Sequence, residues 1–174
     1  AARTVADEVS GWLGEPGSGG GRRIIRTSDT GPAALEAPRA TTVPAEGVDA
    51  PMLRAGHMPA VHVLLNGQGP FLFAIDTGGA GTARVAKALA ERLGLKTVGE
   101  VLGSDPSRRN PQSMTVVAFD SLQIGGARFE GLQAAVRDMR ELPDGEKVDG
   151  VLGFGLFREC LLTLDYPGNA VRLA

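Results

Sequence analysis

The residues best placed to do chemistry lie in one stretch, Phe71-Leu72-Phe73-Ala74-Ile75-Asp76-Thr77-Gly78-Gly79-Ala80-Gly81-Thr82. An apolar run delivers a carboxylate, a small hydroxyl residue and a cluster of glycines. A carboxylate at the end of a buried strand is costly unless hydrogen bonds or a partner group replace its lost hydration. Gly78 and Gly79 let backbone approach that carboxylate and supply amide donors, while Thr77 offers a hydroxyl able to brace a neighbouring loop. A carboxylate held this way can take up or release a proton, the work of a general acid or base. Taken alone, Asp76-Thr77-Gly78 reads more readily as an Asx turn ending a hairpin strand. The chain carries its own control in Asp29-Thr30-Gly31, the same tripeptide between Arg26-Thr27-Ser28 and Pro32. No apolar strand delivers that copy, and it reads as a loop. Context, not spelling, separates the two.

Other reactive side chains form no comparable setting. His57 and His62 are the two histidines, and their spacing along an expected strand puts them on opposite faces, poorly placed to share a metal. Cys160 is the one cysteine, which excludes an internal disulfide and a cysteine-built zinc site. Beside Leu161 and Leu162 it is expected to be a buried packing thiol. The stretch Gly14 to Gly21 lacks both the Lys-Ser/Thr and the preceding apolar strand of a phosphate loop. Trp12 stands alone as an aromatic able to dock on the domain or on a partner. No metal or organic cofactor is expected.

The chain has 174 residues, 43 % of them hydrophobic, enough for one packed domain with a tail. Eighteen basic against twenty acidic residues give a net charge of −2, without the basic surplus that phosphate binding needs, so nucleic acid is not the expected partner. No apolar run approaches the roughly 20 residues of a membrane span. The opening Ala-Ala reads as a processed or trimmed chain. On that reading a periplasmic or secreted location is slightly favoured over a cytoplasmic one, and the compartment stays open.

These candidates need elements to position them, and the composition changes near residue 48. Residues 1–47 hold few large apolar side chains and are punctuated by Gly and Pro. A stretch such as Ala40-Thr41-Thr42-Val43-Pro44 is expected to bury too little surface to offset its ordering entropy. Residues 1–47 therefore read as a flexible or peripheral arm, a linker or a pro-segment, with a short helix around Val5 to Leu13. Residues 48–174 read as the folded domain. Val61, Val63 and Leu65 alternate with His62, Leu64 and Asn66. Phe71, Phe73 and Ile75 alternate beyond Gly67-Gln68-Gly69-Pro70, completing a hairpin. Thr115 to Ile124 and Ala127 to Val136 are strands about a Gly125-Gly126 turn. Leu161 to Leu164 and Ala170 to Leu173 form a last hairpin. Two helices are expected. One carries Val85, Ala86, Leu89, Ala90 and Leu93 as its apolar stripe, with Thr82 as N-cap and Gly94 as terminator. The other runs from about Gly155 to Cys160.

The ordered set of these pieces resembles the retropepsin-like aspartic proteases, specifically bacterial single-lobe members. It comprises Val61 to Asn66, Gly69 to Gly78, the helix ending Leu89-Ala90-Glu91-Arg92-Leu93-Gly94-Leu95, Val148-Asp149-Gly150-Val151-Leu152-Gly153, and Leu161-Leu162-Thr163-Leu164-Asp165-Tyr166-Pro167. The resemblance covers residues 48–174. It implies a mainly β fold, a closed antiparallel β-barrel lobe with two short helices. It also implies Asp76 as the catalytic acid, Thr77 and Gly78 as its loop, and Val151-Leu152-Gly153 as the element passing behind that loop. A flap is expected between the first helix and Thr115, with candidates Gly103, Ser104, Asp105, Arg108 and Arg109. Gly79 departs from the pattern, which usually has Ala there.

Peptide hydrolysis by carboxylates needs a water held between two acids that share one proton, because like charges about 3 Å apart cannot both ionise. One lobe supplies one Asp. A homodimer supplies the second by presenting Asp76 twice across a two-fold axis. Asp149 and Asp165 sit in turns within the matched segments, but in the family pattern Asp149 is not the catalytic partner. The resemblance thus implies an aspartic endopeptidase acting as a homodimer on peptide or protein. The alternative is a catalytically inactive module used for dimerisation or peptide binding. A third reading makes residues 1–47 a pro-segment covering the cleft.

Overall fold

The computed structural model describes residues 22–25, 35, 37–103, 112–139 and 147–174. In chain order its strands are β1 (Arg22–Ile25), β2 (Ala40–Val43), β3 (Val48–Pro51), β4 (Leu53–Ala55), β5 (Met58–Leu65), β6 (Gln68–Asp76) and β7 (Ala83–Ala86). They continue with β8 (Lys96–Gly103), β9 (Gln112–Ile124), β10 (Ala127–Arg137), β11 (Gly150–Gly153), β12 (Leu162–Asp165) and β13 (Ala170–Leu173). The described residues also include a helix α1 (Lys87–Arg92) and a 3-10 turn at Phe154–Phe157.

The hairpin read from alternating residues is β5 and β6, with Val61 opposite Phe73 and Val63 opposite Phe71. Phe71, Phe73 and Ile75 turn into the main core. On the other face of β6, Ala74 is buried and Leu72 half-buried in a second, smaller apolar cluster with Ala55, Ala60, Val148 and Val151. A strand covered on both faces reads as an unbroken apolar run, which is why no polar residue interrupts Phe71 to Ile75. Each buried Phe contributes about 1.5–3 kcal/mol over its exposed state.

The ladders run from β5 to β6, β11, β7, β10 and β9, and β9 pairs β5 again, so this path returns to its start. Two of its ladders, β6–β11 and β7–β10, are parallel, where an antiparallel lobe was expected. Parallel neighbours need a long crossover, and the segments from Asp76 to Gly150 and from Ala86 to Ala127 supply one each. A separate three-stranded sheet joins β12, β13 and β3, with Arg172 donating to Asp49 at 2.6 Å across β13 and β3.

Several expectations are corrected. Ala40 to Val43 is not peripheral: β2 hydrogen-bonds to β10, and Ala40, Thr41 and Val43 are buried. Small side chains fit against a sheet already filled by larger ones, so low apolar bulk does not mean exposure. Val85 and Ala86 belong to β7 instead of the helix, which starts only at Lys87. Thr82 does not cap that helix, because its buried hydroxyl donates to the Gln133 carbonyl at 2.7 Å. Gly94 does end it, in the left-handed region at φ 59°. The second helix is a single 3-10 turn at Phe154–Phe157, shorter than Gly155 to Cys160. Val5 to Leu13, Trp12, Gly14 to Gly21 and Asp29-Thr30-Gly31 lie outside the described residues.

Candidate active site

Asp76 is the last residue of β6, and by strand alternation its side chain lies on the Leu72 and Ala74 face. It is 38 % exposed, so the carboxylate is held by protein and open to solvent at once. The Gly78 N–H donates to Asp76 Oδ1 at 3.2 Å, and the Gly79 N–H donates to the Asp76 carbonyl at 3.0 Å. This is the Asx turn that the bare tripeptide suggested, placed where the strand delivers it to the surface. Thr77 and Gly78 are exposed, whereas Gly79 is buried.

The loop from Gly79 to Thr82 is fastened from behind by β11 and the turn after it. Gly153 N–H donates to Thr82 O at 2.9 Å, Phe154 N–H to Gly79 O at 3.0 Å, and Gly155 N–H to Gly81 O at 2.9 Å. Asp76 stands opposite Gly153 in the parallel ladder. A Cβ on Gly153 would lie 2.4 Å from Gly81 O and 2.9 Å from Gly79 O, so only glycine allows this approach. Val151, Leu152 and Gly153 belong to β11, which runs beside the end of β6. Leu152 is fully buried in the main core, and Val151 packs on the smaller cluster.

Gly79 has a second consequence. A Cβ there would sit 2.9 Å from Asp76 Oδ2, so the carboxylate rests in the notch that a side chain would fill. The same oxygen lies 3.9 Å from Arg84 Nη1, a neighbour the sequence reading did not anticipate. The available signal was a charged residue within the apolar run Ala83-Arg84-Val85-Ala86.

Asp149 and Asp165 have other duties. Asp149 Oδ2 accepts from the Leu72 N–H at 3.0 Å, its own N–H donates to Leu72 O, and its carbonyl accepts from the Ala86 N–H. It thus pins β6 to β7 four residues short of Asp76, roughly 13 Å away along the strand. Asp165 accepts from Gly168 N–H in the exposed β12–β13 turn. His57 and His62 are exposed, and among the described residues no group of three His, Cys, Asp or Glu side chains could hold a metal ion. Cys160 is half-buried against the core, its thiol 3.7 Å from Phe157 O.

Strand β8 lies at the edge of the larger sheet. Residues 96–100 are exposed on both faces, and Val98 and Leu102 are exposed large apolar side chains. Gly103 pairs with Gln112 at the last described rung. Ser104, Asp105, Arg108 and Arg109 lie outside the described residues. Among the described residues no helix is long and apolar enough to cross a membrane.

The family model described as "Aspartyl protease" matches residues 61–156. That is more than half of the chain, and the chain belongs to this family. Among solved structures it is similar to a retropepsin-like aspartic protease from Rickettsia conorii, at 20 % identity over 73 % of this chain and 89 % of that one, with a TM-score of 0.49. No curated protein matches it.

Proposed function

We propose that the chain is an aspartic endopeptidase that works as a two-fold homodimer, with Asp76 of each copy forming the water-activating pair. The observation that carries this reading is the setting of Asp76. It is a half-exposed carboxylate at the end of a doubly buried strand, on a loop fastened by Gly153, with Thr77 and Gly78 outermost. Family membership supports the same chemistry.

A single carboxylate cannot both take a proton from water and polarise the peptide carbonyl. Two that share one proton can. The ionised member removes a proton from water as it attacks, and the protonated member donates to the carbonyl oxygen. The resulting tetrahedral adduct expels the amine, which takes up a proton. Asp149 and Asp165 are committed to backbone amides elsewhere, and in this reading a second copy of Asp76 is the partner acid. In this reading the β8–β9 hairpin is the flap, and Val98 and Leu102 give it apolar surface to lay over a peptide.

The test is Asp76→Asn. Cleavage of an unfolded protein substrate should fall to background, while the circular dichroism spectrum and melting temperature stay close to those of the unmodified chain. Cleavage retained by a folded Asp76→Asn variant would refute the assignment.

A further inference from the structure

We infer that Arg84 is a specificity-determining residue that receives an acidic side chain of the substrate close to the bond to be cut. This rests on Asp76 being the catalytic carboxylate and adds a substrate class to that reading. Ala83 and Val85 turn into the main core, so Arg84 lies on the opposite face of β7. The ladders place Arg84 opposite Val151 and Val151 opposite Ala74, with Asp76 two residues further along the same face. The side chain reaches over β11 until Nη1 is 3.9 Å from Asp76 Oδ2. That separation makes an ion pair but is too long for a hydrogen bond.

Among the described residues the Arg84 guanidinium makes no hydrogen bond, so its donors are unspent. It is 26 % exposed and shares its face of the sheet with apolar Val151 and Ala74 on the neighbouring strands, reachable by a ligand and partly shielded from water. A guanidinium offers a planar fork that matches a carboxylate in two parallel bonds. Charge counting points the same way. Two copies of Arg84 bring two positive charges to a pair of Asp76 carboxylates that, sharing one proton, carry one negative charge. The assembled site has a cation to spare, and a glutamate or aspartate of the substrate fits it better than the isosteric amide.

The test uses non-cleavable peptides with a hydroxyethylene group in place of the scissile bond, in Glu and Gln twins at the first or second residue on either side. Binding is read by fluorescence anisotropy. The unmodified chain should bind the Glu member at one of these positions roughly tenfold tighter than its Gln twin, and rising salt should shrink the ratio. Arg84→Gln should bring the ratio to about one, and Arg84→Lys should leave a reduced preference for Glu. A ratio near one at every position, a ratio indifferent to salt, or one unchanged in Arg84→Gln would overturn the inference. These ratios do not depend on turnover. Cleavage by Asp76→Asn would defeat the catalytic assignment alone, and equal binding of the twins beside an inactive Asp76→Asn would defeat the Arg84 assignment alone.

Discussion

Gly153 stands directly opposite Asp76 in the parallel ladder between β6 and β11, and its bare Cα faces the carbonyls of Gly79 and Gly81. The carboxylate's position is therefore fixed from behind by a residue without a side chain. Gly153→Ala would press a methyl group onto two backbone oxygens that cannot rotate away. The expected cost is about 3 kcal/mol, read as a lower denaturant midpoint, with cleavage lost as the loop is displaced. A variant of unchanged stability and activity would show that β11 does not brace the loop.

Asp149 and Asp76 are both carboxylates in the matched segments, but their substitutions should differ in kind. Asp149→Ala leaves the Leu72 N–H without its acceptor and should cost about 1–3 kcal/mol. Asp149→Asn keeps an acceptor oxygen and should cost less. Both should still cleave substrate at temperatures where they are folded. Thermal melts paired with cleavage assays at low temperature check this, and an inactive, fully stable Asp149→Asn would reopen the choice of second acid.

At Gly79 the prediction concerns placement of the carboxylate. Gly79→Ala fills the notch in which Asp76 Oδ2 rests and must turn that oxygen outward. The substitution should leave the melting temperature unchanged or slightly raised, because alanine lowers the entropy of the unfolded chain. It should raise turnover by bringing Asp76 toward its partner. Slower cleavage at unchanged stability would mean that the notch is the productive position.

Much of this was legible in the residues themselves. The β5–β6 hairpin followed from Val61, Val63 and Leu65 answering Phe71, Phe73 and Ile75, because strand alternation needs only local pattern. The delivery of Asp76 by a strand was legible as well, from the apolar run Phe71 to Ile75 that precedes it. What escaped was decided by distant partners. Val85 and Ala86 fit a helical stripe with Leu89, yet β10 and β11 pair with β7 on both sides and draw them into strand. Ala40 to Val43 looked too poor in bulk to fold, yet β10 offers it an edge. Arg84 is eight residues from Asp76 and two strands away, a neighbourhood created only by β11 lying between them.

The most direct measurement of the central claim mixes the unmodified chain with Asp76→Asn in equal amounts, allows subunits to exchange, and reads cleavage at constant total protein. If each active site needs Asp76 from both copies, random pairing leaves about one quarter of the dimers competent and activity falls to about one quarter of that of the unmodified chain. Activity of about one half would mean that each chain cleaves with its own carboxylate, and would contradict the paired site.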